Sequence, residues 1–530
     1  MQTSPRFDAI VIGSGFGGAM AARQLVHAGW RVLMLERGGW VERGPHNWAQ
    51  ENVGELTGHY CREAPYRQLR GGRDLGAYFC VGGPSVFYGG VSLRFREQDF
   101  EVDREIVGDS GARWPLRYAD LEPYYGVAER ILGVSGVTGE DPTEPPRSEP
   151  YPHPSADLAP VTERIASAAR ELGLAPFRLP LAINRVASDG RGACQACGTC
   201  DGFACAVGAK NDLATTVIGP LLKQGLLLET DAVVTRLQTD GRRVTGVEVA
   251  ARDSGERTTF RAREVILAAG ALGTPQLLLA SELARLNPGG QVIGRYLQRH
   301  YNEILFGIFP SPPNPGGGFH KQIGIHDFYF GHPSVQAPAG KLGGMQQLPT
   351  PPVGLVRAEL PRVVGAMVAP WIKHLTGLLV MAEDQPVYQN RVLLDESATD
   401  RYGVPRLLIS HRHTSRDRAA GAALAAAAKR ILRRAGALAC YRHQVATFSH
   451  GVGTVRMGSD PHTSALDADC RYRGLENLTV VDASVMPTGA AVNPSLTISA
   501  IALRAAERLV ERHVTLTPSA ARGKGTVVSG

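Results

Sequence analysis

The sequence predicts an α/β protein, and three observations carry that reading. An apolar strand at residues 7–12 runs directly into a glycine-rich turn and a small-residue helix, and a second strand follows at 31–35. Another apolar strand, 264–270, ends in glycine and leads to a helix at 274–284. Between and after these units lie long Gly- and Pro-rich stretches. At 530 residues, the chain has room for a second domain.

Composition removes several classes. Hydrophobic residues at 43% and charged residues at 20% are ordinary for a globular chain. The net charge of +7 is modest, and no basic run of nucleic-acid type occurs, so no nucleic-acid partner is expected. Eight cysteines in so long a chain do not make a disulfide scaffold. Phe7 opens the first strand with no basic flank and long apolar segment before it, unlike a signal peptide. The best apolar run, 375–381, is too short to span a bilayer. The expectation is a cytoplasmic protein with no transmembrane segment.

Taken in order, residues 7–12 form a buried parallel strand, 19–28 an Ala-rich helix closed by Gly29, and 31–35 a strand ending at Glu36. Gly13, Gly15 and Gly18 complete a G-x-G-x-x-G pattern inside this unit. Its first glycine permits the tight turn, its second lets a pyrophosphate reach the backbone, and its third lets helix and strand pack closely. Glu36 lies 18 residues beyond Gly18, near the spacing of a ribose-binding carboxylate. Together these predict a Rossmann-like dinucleotide site, and the acid argues against a 2′-phosphate. The motif alone does not separate FAD from NAD.

Further along, a Pro-rich linker at 141–154 breaks the helical patterns of 115–175. Residues 233–250 alternate as a hairpin with its turn at Asp240 and Gly241. Residues 419–435 form a strong helix ended by Gly436, 477–481 a strand, and 496–513 a final helix. The tail from 516 is expected to be flexible.

Four stretches, in order, resemble the glucose–methanol–choline family of FAD oxidoreductases. They are the glycine fingerprint; residues 81–90, with Gly82, Gly83, Phe87 and Tyr88; residues 268–278; and a C-terminal set. That set holds His450-Gly451-Val452-Gly453-Thr454, then Asp482-Ala483-Ser484, then Asn493-Pro494-Ser495. The resemblance implies a Rossmann-like FAD-binding domain and a discontinuous α+β substrate domain built on an antiparallel sheet. On this reading 1–110, 190–300 and 440–515 form the FAD domain, and 111–189 and 301–439 form the substrate domain. It places Val233 near the adenine, Gly82, Gly83 and Tyr88 near the flavin ring and pyrophosphate, and Asp482 near the pyrophosphate–ribityl chain. Covalent relatives attach flavin through a His in the second loop. Phe87 and Tyr88 stand there instead, so non-covalent FAD is expected.

The implied chemistry is oxidation of an alcohol to a carbonyl. A proton leaves oxygen, and a hydride passes to flavin N5. His450 matches the base position, because a neutral imidazole has a free acceptor nitrogen. Asn493 matches the partner position and can only donate or accept a hydrogen bond. This His/Asn pair is similar to the sterol-oxidising branch and some sugar-oxidising members. His300, in the family-like stretch 294–300, is read as structural. Cys194, Cys197, Cys200 and Cys205 have a spacing seen in metal and cluster sites, yet similar stretches occur in the family without metal, so no metal is expected. The substrate is a small-molecule alcohol (a sterol, an apolar alcohol or a glycoside), and the acceptor is oxygen or another oxidant. The alternatives are a non-oxidative flavin lyase or decarboxylase, and a flavoprotein subunit feeding electrons to a partner protein.

Overall fold

In the computed structural model, residues 7–48, 62–187, 190–445, 447–448 and 450–516 are described. The strand Phe7–Ile12 lies at the middle of a five-stranded parallel sheet. Its neighbours are Val32–Leu35 on one side and Ala262–Leu267 on the other, with Ile12 opposite both Leu35 and Leu267. Leu227–Glu229 and Leu478–Val480 close the two edges. A central parallel strand is covered on both faces, which is why Ile10, Val11 and Ile12 run without polar alternation. The helix Phe16–His27 packs on this sheet, and Ser495–Leu516 packs on Phe16–His27. The expected hairpin is present as Ala232–Thr239 and Val244–Ala251, and Arg257–Phe260 adds a third strand.

A six-stranded sheet forms the second layer, in the order Ala439–Gln444, Tyr301–Ile308, Leu375–Ala382, Gly343–Leu348, Ile323–Ile325, Phe177–Arg178. All of its pairings are antiparallel. The helix Ser415–Arg434 backs this sheet. Thr414 caps that helix through Asp417 N–H, at 3.1 Å, and Asp417 returns a bond to Thr414 N–H. Such a cap is worth about 1 kcal/mol. It starts the helix four residues before the apolar periodicity does.

The helix Tyr118–Ile131 packs with Trp114, Leu116 and Val134 into the same large core as the parallel sheet. Its apolar face, Leu121, Tyr125 and Ala128, is fully buried there. Conversely, Arg62–Gln68 and Asp74–Tyr78 leave the first domain to pair with Pro405–Ser410 and Arg391–Thr399. The tail predicted to be flexible lies, beyond residue 516, outside the described residues.

The second glycine turn also differs in detail. The helix runs Gly270–Ala280, not 274–284, so Pro275 falls inside it. A proline there leaves the carbonyl four residues earlier without its helical N–H. That carbonyl, of Ala271, accepts Thr454 Oγ1 at 2.7 Å. The histidine-bearing loop is thereby tied to the nucleotide half by a defect in its helix.

Candidate active site

The first two glycine loops meet face to face. Gly13 ends the first strand, its N–H bonded to Leu35 O at 2.8 Å. Ser14 Oγ donates to Glu36 Oε2 at 2.5 Å and accepts Gly82 N–H at 2.9 Å. Glu36 Oε2 also takes Ser14 N–H, and Oε1 takes Gly38 N–H, each at 3.0 Å. Burial raises the Glu36 carboxyl above its ordinary range, against the pull of these donors. Gly83 lies against Gly15, where a Cβ on Gly83 would approach Gly15 Cα to 3.1 Å.

These residues fit a dinucleotide. Gly15 is the N-cap of its helix, with no side-chain cap and no acidic residue in the first turn. A Cβ on Gly15 would meet nothing within 4 Å, so the space above the helix N-terminus is open. Bare first-turn N–H groups facing open space suit a pyrophosphate. A Cβ on Gly18, in contrast, would run into the Gly13 carbonyl oxygen.

Asp482 is buried, and both oxygens are engaged. Oδ2 accepts Gly270 N–H at 2.9 Å and Thr274 Oγ1 at 2.5 Å; Oδ1 accepts Ser484 N–H at 2.8 Å. It caps the helix that begins at Gly270, and that role the sequence pattern did not separate from cofactor contact. Val233 points its side chain into a small cluster with Ala250, Tyr402 and Val404, while Val234 packs toward the nucleotide domain's core. The expected adenine contact at Val233 is therefore open only to its backbone. Tyr88 sits edge-on to Phe16 and donates to Asn211 O at 2.9 Å.

His450 stands at the end of the Gly-Val-Gly-Thr loop, partly open. Its Nδ1 is 3.1 Å from Nδ1 of His300. His300, expected to be structural, is thus a direct neighbour of the candidate base. The spacing 450 minus 300 hides the contact from any local pattern. His300 Nε2 lies 3.1 Å from Gly489 O. His300 has a φ of +61°, a left-handed conformation of order 1 kcal/mol or more above ordinary backbone. Asp384 holds that turn by accepting Arg299 N–H at 2.9 Å and His300 N–H at 3.0 Å. Burial works against its charge, yet the hydrogen bond and charge of His411 hold Asp384 down to about 2. Burial depresses the His450 imidazole well below the usual histidine range, and His300 and Lys321 act in the same direction.

Asn493 Oδ1 accepts Gln346 Nε2 at 2.6 Å. The segment leading to Asn493 is held from the antiparallel side. Ala490 N–H donates to Glu383 and Ala491 N–H to Tyr329 Oη, each at 3.0 Å, and Glu383 is paired with Lys341 at 2.9 Å. Gln346, Glu383 and Lys341 were missed by sequence reading, and nothing in their local pattern marks them. Lys321 pairs with Asp201 at 2.9 Å beside Gly89, where a side chain would collide with Asp201.

The four clustered cysteines are free thiols around one cavity of about 20 Å³. That is about the room one water needs. Tetrahedral zinc would bring the sulfurs to roughly 4 Å of one another. Among the described residues, the only set of three such ligands gathered within 4.8 Å is Asp384, His411 and His413, with no cysteine in it. Burial pushes the Cys200 thiol up to about 12. Lys210 closes the loop, its ammonium donating to the carbonyls of Val86, Tyr88, Cys200 and Phe203 at 2.7–3.1 Å. The cysteine loop is in this way knotted to the second glycine loop.

Comparison with known proteins agrees with this arrangement. Two models described as GMC oxidoreductase match residues 76–302 and 386–502. The chain is 34% identical to paromamine 6′-oxidase of Streptomyces fradiae, over 96% of this chain and 92% of that one. It is 29% identical to 2-methyl-1,2-propanediol dehydrogenase of Mycolicibacterium austroafricanum, over 95% of each. The crystal structure of pyridoxine 4-oxidase from Mesorbium loti shares the fold, with a TM-score of 0.64 at 21% identity, covering 94% of this chain and 98% of that one. No described helix is long and apolar enough to cross a membrane. The chain belongs to the GMC oxidoreductase family and is an FAD-dependent enzyme acting on CH–OH donors.

Proposed function

We propose that the enzyme oxidises a hydroxyl of a polar, sugar-type alcohol, with His450 as the base and Asn493 as the group that orients the oxygen. The supporting observation is the state of these two side chains. Burial keeps His450 neutral, and hence an acceptor, at neutral pH. Gln346 occupies Asn493 Oδ1, so the Asn493 amide N–H groups are turned the other way and can donate to a substrate oxygen. FAD, when bound, supplies N5 as the hydride acceptor. Gly13, Gly15, Gly18 and Glu36 would hold its pyrophosphate and ribose, and Gly82, Gly83 and Tyr88 its second loop contacts.

The substrate class follows from polarity. The Lys321 charge reaches His450, its partner Asp201 stands beside the glycine loop, and Gln346 lies behind Asn493. A sterol or apolar alcohol would have to desolvate such groups without replacing their hydrogen bonds, at a cost of about 1–3 kcal/mol each. A polyhydroxylated or amino-bearing ring would replace them. The relative named for paromamine is in keeping with this choice.

Anaerobic mixing with paromamine, a simple polyol and a sterol alcohol tests the reading. Bleaching of the flavin bands by the sugar-type compounds and not by the sterol is expected. Repeating the mixing in air with peroxide detection separates an oxidase from a dehydrogenase. Bleaching by the sterol alone would overturn the substrate class. Acid precipitation of the same protein is expected to leave free FAD in the supernatant, since Phe87 and Tyr88 replace the linking histidine. Flavin in the pellet would mean a covalent bond.

A further inference from the structure

We infer that His300 is a positioning residue that fixes which nitrogen of His450 carries the proton. This rests on the reading of His450 as the base. The chain of contacts starts at a backbone carbonyl, which only accepts. Gly489 O is 3.1 Å from His300 Nε2, so that nitrogen must be the N–H donor. His300 is fully buried, and burial lowers its imidazole below the usual range, so it carries one proton and not two. Its Nδ1 is then an acceptor with a lone pair. The nitrogen facing it at 3.1 Å is Nδ1 of His450. Two lone pairs at that distance would repel, so His450 carries its proton on Nδ1. The remaining nitrogen, Nε2, is left as the acceptor.

A general base needs its lone pair on the nitrogen that faces the substrate. The opposite tautomer would present an N–H to the alcohol and could not take its proton. In the reaction the alcohol proton moves to His450 Nε2, and the imidazolium keeps its Nδ1–H on His300. FAD, when bound, would take the C–H hydride, which leaves the carbonyl product.

The backbone argues for the same role. His300 is held at φ +61° by Asp384, which accepts its N–H, and Ala490 beyond Gly489 is held at φ +53° by Glu383. Neither position is glycine. Left-handed backbone at non-glycine residues gathers where side-chain placement matters more than local comfort. Here two such residues aim one imidazole between Gly489 O and His450.

Nitrogen-15 NMR of the FAD-loaded enzyme with ring-labelled histidine reads the tautomer directly. The His450 signals are identified by their loss in His450→Asn. Wild type is expected to show a protonated Nδ1 and an unprotonated Nε2 at His450. His300→Phe keeps an aromatic ring but has no acceptor. In it, His450 is expected to shift toward the Nε2-protonated form, with flavin reduction slowed roughly 10- to 100-fold. His300→Asn restores an acceptor and tolerates positive φ. It is expected to return His450 to the Nδ1-protonated form and recover most of the rate. A protonated Nε2 at His450 in the wild type overturns the inference even if no variant folds. So does an unchanged His450 tautomer in His300→Phe. The two readings fail separately. If His450→Ala abolishes reduction while the tautomer ignores residue 300, only the positioning role falls. If the tautomer follows residue 300 but His450→Ala reduces normally, only the base assignment falls.

Discussion

His450→Ala, loaded with FAD, reduces its flavin on the order of 10²–10⁴-fold more slowly than wild type, the range for loss of a general base. The loss belongs to the reductive half-reaction, because the nucleotide loops lie on other strands and keep their contacts. Asn493→Ala loses less, since it deletes an orienting donor and leaves the proton acceptor in place. The pH profile carries a sign. Burial, with His300 and Lys321 nearby, sets the His450 imidazole well below the usual histidine range. Reduction therefore stays on its plateau through neutral and mildly acidic pH, and falls only once pH drops through that depressed value. Lys321→Met removes the nearby ammonium charge and moves the acid limb toward higher pH. Stopped-flow reduction of each FAD-replete variant across pH is the measurement. A near wild-type rate in His450→Ala sinks the base assignment, and an acid limb above the ordinary histidine range contradicts the electrostatic account.

The nucleotide half was legible because its chemistry is local. Gly13, Gly15, Gly18 and Glu36 sit within one strand–turn–helix–strand unit, and the structure joins Ser14, Glu36 and Gly82 by short hydrogen bonds. The substrate half was not, because its chemistry is assembled from strands far apart in the chain. Gln346 reaches Asn493 from a strand of the antiparallel sheet, and Lys341 joins Glu383 to Asp99, which lies far earlier in the chain. His300 stands in a family-like stretch, but its contact with His450 and its left-handed backbone are not displayed by the sequence. The burial of the Tyr118–Ile131 helix is likewise set by its apolar face, which packs into the core shared with the parallel sheet. Asp482 shows the reverse case: its motif was visible, but its use as the cap of Gly270–Ala280 became visible only with the hydrogen bonds drawn.

Gly15→Ala and Gly18→Ala separate cofactor binding from folding within a single motif. At Gly15 the backbone is extended, with φ −69° and ψ −169°, which alanine adopts freely. Its added methyl would meet no protein atom within 4 Å. The apoprotein of Gly15→Ala is therefore expected to melt close to wild type. That methyl instead stands in the space above the bare helix N-terminus, where the pyrophosphate must approach the backbone. Overpacking of this kind costs about 1–3 kcal/mol, or roughly 5- to 150-fold in FAD affinity. Gly18→Ala acts on the other side of the turn. Its methyl points at the Gly13 carbonyl oxygen and at Val11 Cγ1, 3.2 Å away, so helix and strand must part. The same 1–3 kcal/mol then appears as lost stability of the apoprotein, and FAD affinity falls as a consequence. Thermal melts of both apoproteins, paired with fluorescence titration by FAD, give the two numbers for each variant. A Gly15→Ala protein that binds FAD as tightly as wild type would remove the pyrophosphate from that helix. A Gly18→Ala apoprotein of unchanged stability would show that the strand and helix do not depend on their close approach.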